Sequence, residues 1–599
     1  MKQRYTFFKV IILFIGLLSC EEEVLDLQPI DQTTEFVYFN TPEQFKAAAN
    51  DFYTKMISWR KIDDSSIYDW MDVGSDLTTK TTVYGQGGGI TNAIDIYWRN
   101  PYKYIRNNNI LLKKAQEYPD NKEGIKQYVA EAYFFRAWHY FFLLKRFGGV
   151  PIITTVLDVD SPELYSKRAT RYELTKQIIN DLDLAIKDLP IEQTISTAEK
   201  GHVSKWAAMA FKARVLLYEA TWEKYVGEAT DFEKGQKKEN NTLKYLNEVI
   251  SLTKIVIEQG GYELWNKLGD ESYFYLFNLD DGLSNPLGFT KASNKEFILK
   301  SNYDFVFYKS LNNLTHTLSS LLAPNRKMMD MYLCKDGLPP SESSVFKGYQ
   351  KMSDEFENRD NRLTNFVFRP GKKYWGYGLS TWGGGAIYGQ DFPPTIVPFY
   401  PQLYTNVNSG YLNRKFLSEH RFREDNQESY DYPQIRLAEV YLMYAEALYE
   451  KDGFISDANL DISINKIRDR AGVAHLTNEL INTHPKLTML GEIRRERTLE
   501  LYGENTRFDD LKRWNIAEQE LNQTVMGVRV MGNEYETFVN NGQPLFIPSA
   551  YITFGTDPQT GAIIMDPVSN RKFTKKSYLS PIPLNQIILN PSLKQNPGW

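Results

Sequence analysis

Cysteine is nearly missing from this chain: 599 residues hold only Cys20 and Cys334. A disulfide framework is therefore excluded, and stability has to come from buried apolar area. Histidine is almost as sparse. His139, His202, His316, His420, His475 and His484 are scattered, with no His-Glu-x-x-His and no cysteine pair of the kind zinc needs. There is no surplus of positive charge either: 70 basic against 75 acidic residues leave a net −5, which argues against nucleic acid as a partner. Finally, only one run approaches membrane-like hydropathy. Val10 to Leu18 is nine residues long, too short to cross a bilayer, which takes about 20.

That run is a signal. Lys2, Arg4 and Lys9 precede it, and Leu17-Leu18-Ser19-Cys20 closes it as the substrate of a bacterial lipoprotein peptidase would, with the Cys20 thiol receiving the lipid. Acyl chains, palmitate among them, contribute about 0.8 kcal/mol per buried CH₂, so two or more give a stable anchor. Residues 1–19 are thus read as signal peptide and 20–40 as a lipid-anchored tether beginning Glu21-Glu22-Glu23. The mature chain exceeds what one core serves, so lobes or insertions are expected.

Helical periodicity governs residues 41–260. Thr41 is an N-cap with Pro42 in the first turn, and Phe45, Ala48, Ala49 and Phe52 follow at helical spacing. Three stripes alternate small residues with large aromatics: Ala130, Phe134, Ala137, Phe141 and Leu144, ended by Gly148-Gly149; Trp206, Met209, Ala213, Leu216 and Ala220; Leu437, Tyr441, Tyr444, Ala445 and Leu448. Antiparallel helix pairs of the tetratricopeptide kind stack in this way. The fold class is accordingly mainly α, a helical-repeat scaffold with few short strands. Residues 261–432 lose the period to glycine, proline, asparagine and aromatics and read as a loop-rich lobe. Helices resume over 433–520, and 521–599 carries strand-like runs.

The chemistry of the residues points to binding. Glu496, Glu500, Glu504, Asp509 and Asp510 could suggest acid catalysis, yet Arg494, Arg495, Arg497, Arg507 and Arg513 lie among them at helical spacing. Ion pairs such as Glu492 with Arg495 and Arg497 with Glu500 account for the pattern. Glu131 and Arg136 read as paired core charges. Gly378-Leu379-Ser380-Thr381-Trp382 lacks the second glycine of a nucleophile elbow. Calcium on loop carboxylates stays open, and no other cofactor is indicated. Sugars present a C–H face that stacks on flat rings and hydroxyl edges that take hydrogen bonds. Trp138, Trp206 and Tyr441 are core by spacing, and Trp98 is scaffold. Trp375, Tyr377, Trp382 and Tyr388, by contrast, stand among glycines with no burying period and are the candidate ligand contacts. Tyr84, in the loop from Val83 to Gly89, is a further candidate, with Trp265 and Tyr273 behind it.

Several blocks, in order, resemble the SusD/RagB family of surface lipoproteins. They are residues 104–109 (Tyr-Ile-Arg-Asn-Asn-Asn), the 130–151 helix ending Arg-Phe-Gly-Gly-Val-Pro, residues 436–447, residues 464–472, the charged stretch Arg495 to Trp514, Pro581-Ile582-Pro583 and Asn596-Pro597-Gly598. The resemblance implies four tetratricopeptide-like helix pairs and a variable ligand-binding lobe. It also implies a lid on a SusC-like TonB-dependent transporter of the outer membrane, capturing oligosaccharides or polysaccharides, or peptides in the RagB branch. Glu21 to Glu23 resemble the signal that sends such lipoproteins to the cell surface.

Overall fold

The computed structural model describes residues 38–59, 70–308, 312–369, 409–420, 426–537, 539–540, 543–544 and 553–599. Among the described residues six α-helices come first: α1 Pro42–Tyr53, α2 Ile96–Glu117, α3 Lys126–Phe147, α4 Arg171–Asp188, α5 Lys205–Tyr225 and α6 Thr242–Gln259. Their starts follow from capping. Thr41 precedes Pro42, and Gln44 reaches back to the Asn40 N–H; Thr170 and Glu173 close a capping box on α4; Ser204 accepts from the Ala207 N–H.

α3 shows why these helices stack. All five residues of its apolar stripe are buried, but so are Phe135, Tyr140 and Leu143 on its other faces, so it is enclosed by neighbours on several sides. Its charges pair across helices rather than with each other: Arg136 forks onto Asp181 of α4 at 2.6 and 2.8 Å, and Glu131 meets His202 at 2.9 Å. The helix stops where Gly148 takes φ +76, a left-handed turn glycine adopts without strain. Arg168 seals that end, donating to the carbonyls of Phe147, Gly149 and Lys594 and to Asn596 Oδ1. The C-terminal Asn-Pro-Gly is therefore a clamp on the α3 terminus.

From α2 onward each helix packs on the next, and the series continues into α7 (Leu437–Asp452), which lies against α6 although about 180 residues separate them in sequence. The lobe is thus an insertion between two adjacent helices of the stack. Its ends are joined by an antiparallel pair, β1 (Phe297–Ser301) with β2 (Tyr432–Arg436). Here the sequence reading is corrected: Pro433 to Arg436 is strand, and the helix begins at Leu437, because the backbone of Tyr432 to Arg436 pairs with that of Phe297 to Ser301 on β1. α8 (Ile464–Ala471), α9 (Met489–Glu500) and α10 (Arg507–Arg513) complete the scaffold. β3 (Val525–Arg529) pairs with β6 (Ala562–Asp566), and β4 (Val539–Asn540) with β5 (Gln543–Pro544).

The lobe has its own apolar core, with Tyr273, Phe277, Leu318, Met329, Leu363, Phe366 and Phe416 among its members. Between that core and the helices lies a buried ionic junction. Arg436 contacts Glu296, Glu500 and Glu504; Arg470 contacts Glu296 and Glu500; Arg362 contacts Asp360, Glu496 and Glu500.

Candidate ligand-binding surface

Trp375, Tyr377, Trp382 and Tyr388, like Cys20, lie outside the described residues. What is described is the neck from which segment 370–408 leaves and to which it returns. Val367 and Asn413 form an antiparallel bridge, Phe368 N–H donates to the Leu412 carbonyl at 3.2 Å, and Arg414 N–H to the Phe366 carbonyl at 2.7 Å. Val367, Phe368, Tyr411 and Leu412 are buried. Gly410 holds φ +78 where a Cβ would come within 2.1 Å of Val528, and the Val528 N–H donates to the Ser409 carbonyl at 2.8 Å. Only glycine fits there. The aromatic segment is therefore mounted on a rigid, core-packed base.

Polar side chains brace that base. Tyr411 accepts from Arg326 at 2.5 Å and donates to Glu355 at 2.8 Å. Arg326 also binds Asp330, which accepts from Tyr349 at 2.9 Å, and the Arg529 guanidinium lies 3.8 Å from the Tyr349 ring centroid.

Tyr84 is half-buried, its ring edge-on to Phe508 at 5.1 Å and to Phe573 at 6.1 Å. The chain before it is fixed by Asp72, which accepts from the Gly503 and Arg507 N–H groups, and by Asp76, which takes a two-pronged contact from Arg507. Trp265 and Tyr273 are each 1% exposed, so neither offers a platform. Aperiodic sequence concealed their packing into the lobe core. Trp138, read as core, packs against the helical core at its rim. It is only partly buried, stacks on Phe211 with centroids 4.6 Å apart, and lines a groove of about 110 Å³ with Lys145, Arg214 and Asp509. Phe307, 90% exposed, was not singled out by sequence, since nothing in its pattern separates it from a core aromatic.

The acidic block is paired throughout. Glu492 meets Arg495 at 3.1 Å as its spacing implies. Arg497, however, pairs with Asp510 at 2.8 Å and not with Glu500, which is taken by Arg436, Arg470 and Arg362. Asp509 is bound by Lys145 and Lys512. Burial alone would raise the Glu500 pKa; the surrounding guanidiniums overcome it and hold the carboxyl well below its usual range. Carboxylates tied in this way act as braces between elements.

A helical-repeat scaffold with an inserted, aromatic-rich lobe is a fold of the tetratricopeptide-like class. Two family models match the chain: the SusD family over residues 289–599, and a family described as "Starch-binding associating with outer membrane" over residues 25–217. The chain belongs to the SusD family. A SusD-like protein of Bacteroides ovatus is 23% identical over 517 residues, covering 83% of this chain and 80% of that one. SusD-like proteins P38 and P2 of Formosa agariphila are 26% and 28% identical, but the matched spans cover only 41% and 45% of their lengths. Among solved structures, a SusD-like carbohydrate-binding protein of Bacteroides fragilis superposes with TM-score 0.66 at 23% identity, covering 92% of this chain and 99% of that one. A laminarin-binding SusD-like protein superposes with TM-score 0.55 at 18% identity, covering 94% and 100%. At these identities the superpositions establish the shared fold.

Proposed function

We propose that this protein is a non-catalytic, cell-surface lipoprotein that captures oligosaccharides and delivers them to a partner SusC-like TonB-dependent transporter. The observation that carries the reading is membership of a family one of whose models is described as starch-binding and associated with the outer membrane. Export and anchoring rest on the positively charged start, the short apolar run and Cys20. The fully paired acids of the 492–513 region support a role without turnover.

Capture is assigned to Trp375, Tyr377, Trp382 and Tyr388, with Tyr84 as a second contact. The buried neck supports this: a base fixed by Gly410, Tyr411 and Phe368 can present flat rings without reordering the core. Stacking on such rings buries little area, so dissociation constants of about 10⁻³ to 10⁻⁵ M are expected. That range permits release to a transporter. Isothermal titration against a panel of neutral glycans tests the reading. Trp375→Ala with Trp382→Ala should weaken binding by about tenfold or more, roughly 1.4 kcal/mol, at unchanged thermal stability. Full affinity in that double variant would remove the site, and a peptide identified by mass spectrometry in the purified protein would replace the glycan as cargo.

A further inference from the structure

A basin of about 950 Å³ lies between α4, the first turns of α6 and the connecting segment 226–241, well apart in sequence from segment 370–408. Seven cationic and five anionic side chains line it, a positive excess in a chain of net charge −5.

The excess is available because four of the five anions, all but the exposed Glu239, are already engaged. Lys212 takes both Asp183 and Glu248, Lys594 takes Glu233, and Glu173 accepts from the Thr170 N–H and hydroxyl in its capping box. Lys167, Lys176, Lys234, Lys238 and Lys244 line the same basin, are exposed, and make no ion pair or side-chain hydrogen bond among the described residues.

Beneath them is an unspent polar group. Gln236 is 7% exposed and lines the basin; neither its Nε2 nor its Oε1 meets a partner at full hydrogen-bond geometry, although the side chain bears on Glu233. A ligand that both accepts and donates there satisfies the amide where the protein does not. Rings flank it: Tyr172, Tyr245 and Phe232, the last with the Arg168 guanidinium 4.1 Å from its centroid.

We propose that this basin is a second carbohydrate subsite, selective for acidic oligosaccharides, whose carboxylate or sulfate groups the five lysines attract and whose hydroxyls Gln236 binds. A basin of this volume is many times larger than one inorganic anion, and an amide beside rings suits hydroxylated pyranoses. The inference rests on the glycan-capture reading, but locates acid selectivity on the helical scaffold and not on the aromatic segment.

Titration of the full exported chain with hexagalacturonate and with neutral laminarihexaose tests it. Hexagalacturonate should bind more tightly, with an affinity that falls as salt rises. Lys176→Glu with Lys244→Glu, both at exposed positions, should lower hexagalacturonate affinity about tenfold or more and leave laminarihexaose unchanged. Gln236→Leu should weaken hexagalacturonate while preserving its salt dependence. Equal affinity in the charge-reversed variant would overturn the proposal. So would lysine-dependent binding seen only with phosphatidylglycerol vesicles. Trp375→Ala with Trp382→Ala separates the two readings. Loss of both sugars in that variant overturns the basin and leaves capture by the aromatic segment standing; loss of laminarihexaose alone supports two sites.

Discussion

In the α2–α7 stack most neighbours in space are neighbours in sequence, whereas the inserted lobe is drawn together by polar side chains reaching across long stretches of chain. Arg359, fully enclosed, donates to the carbonyls of Met329, Tyr332, Leu333 and Glu355. Asn365 binds Asp270 and the Phe274 N–H, and Lys415 donates to the Tyr502 carbonyl and to Glu504. The stack satisfies its backbone within each helix and needs side chains mainly for apolar contact. Among its described residues the lobe has little regular structure to satisfy its backbone, so buried Arg, Asn and Lys perform that task.

The largest expected effect tests whether the two regions depend on one junction. Arg436, the last residue of β2, joins Glu296 of the lobe to Glu500 and Glu504 of the scaffold. Arg436→Met leaves three buried carboxylates short of a partner and should cost about 3–5 kcal/mol, read by urea denaturation. Limited proteolysis should then cut within 261–432 while helical circular dichroism is largely retained. Loss of both signals together would show one cooperative unit and erase the distinction.

This same contrast explains how much of the molecule was legible in its sequence. The scaffold's stripes, its Thr41 and Gly148 boundaries and the structural role of the Glu492–Arg513 block follow from local spacing, and all are seen in the fold. The partners of Arg497, Glu500 and Arg136 do not, because the helix that supplies the opposite charge is chosen by tertiary packing. Trp265 and Tyr273 were misjudged for the same reason: without a period, a buried ring in the lobe and a solvent-facing one look alike. For the aromatic segment, sequence gives the rings and the structure gives the neck that carries them.

A second test uses pH to probe the lobe alone. Burial pulls the Lys415 ammonium down from 10.5 to about 8, with Glu504 opposing the shift. Between those two values the unfolded chain binds a proton that the folded chain has released, so this group makes stability rise with pH across that window. The gain should be about 3 kcal/mol, and Lys415→Met should flatten it. An unchanged slope would mean that Lys415 keeps its ordinary basicity beside Glu504, and that the lobe tolerates a buried charge at no cost.

The smallest effect belongs to the scaffold, and its size is the point. Thr170 caps α4 through the Glu173 N–H at 3.1 Å, and Glu173 returns to the Thr170 N–H at 2.8 Å. Both residues lie at the surface, and removing the hydroxyl leaves one N–H to water. Thr170→Ala should therefore cost about 1 kcal/mol, a few degrees or less in thermal midpoint for a chain of this size. The α4 register is set independently by Arg136 on Asp181 and by Arg171 on Glu219, so the loss stays local, whereas every pin removed from the lobe exposes backbone that no helix can satisfy. A cost several times larger at Thr170 would mean that the stack too hangs on single polar contacts.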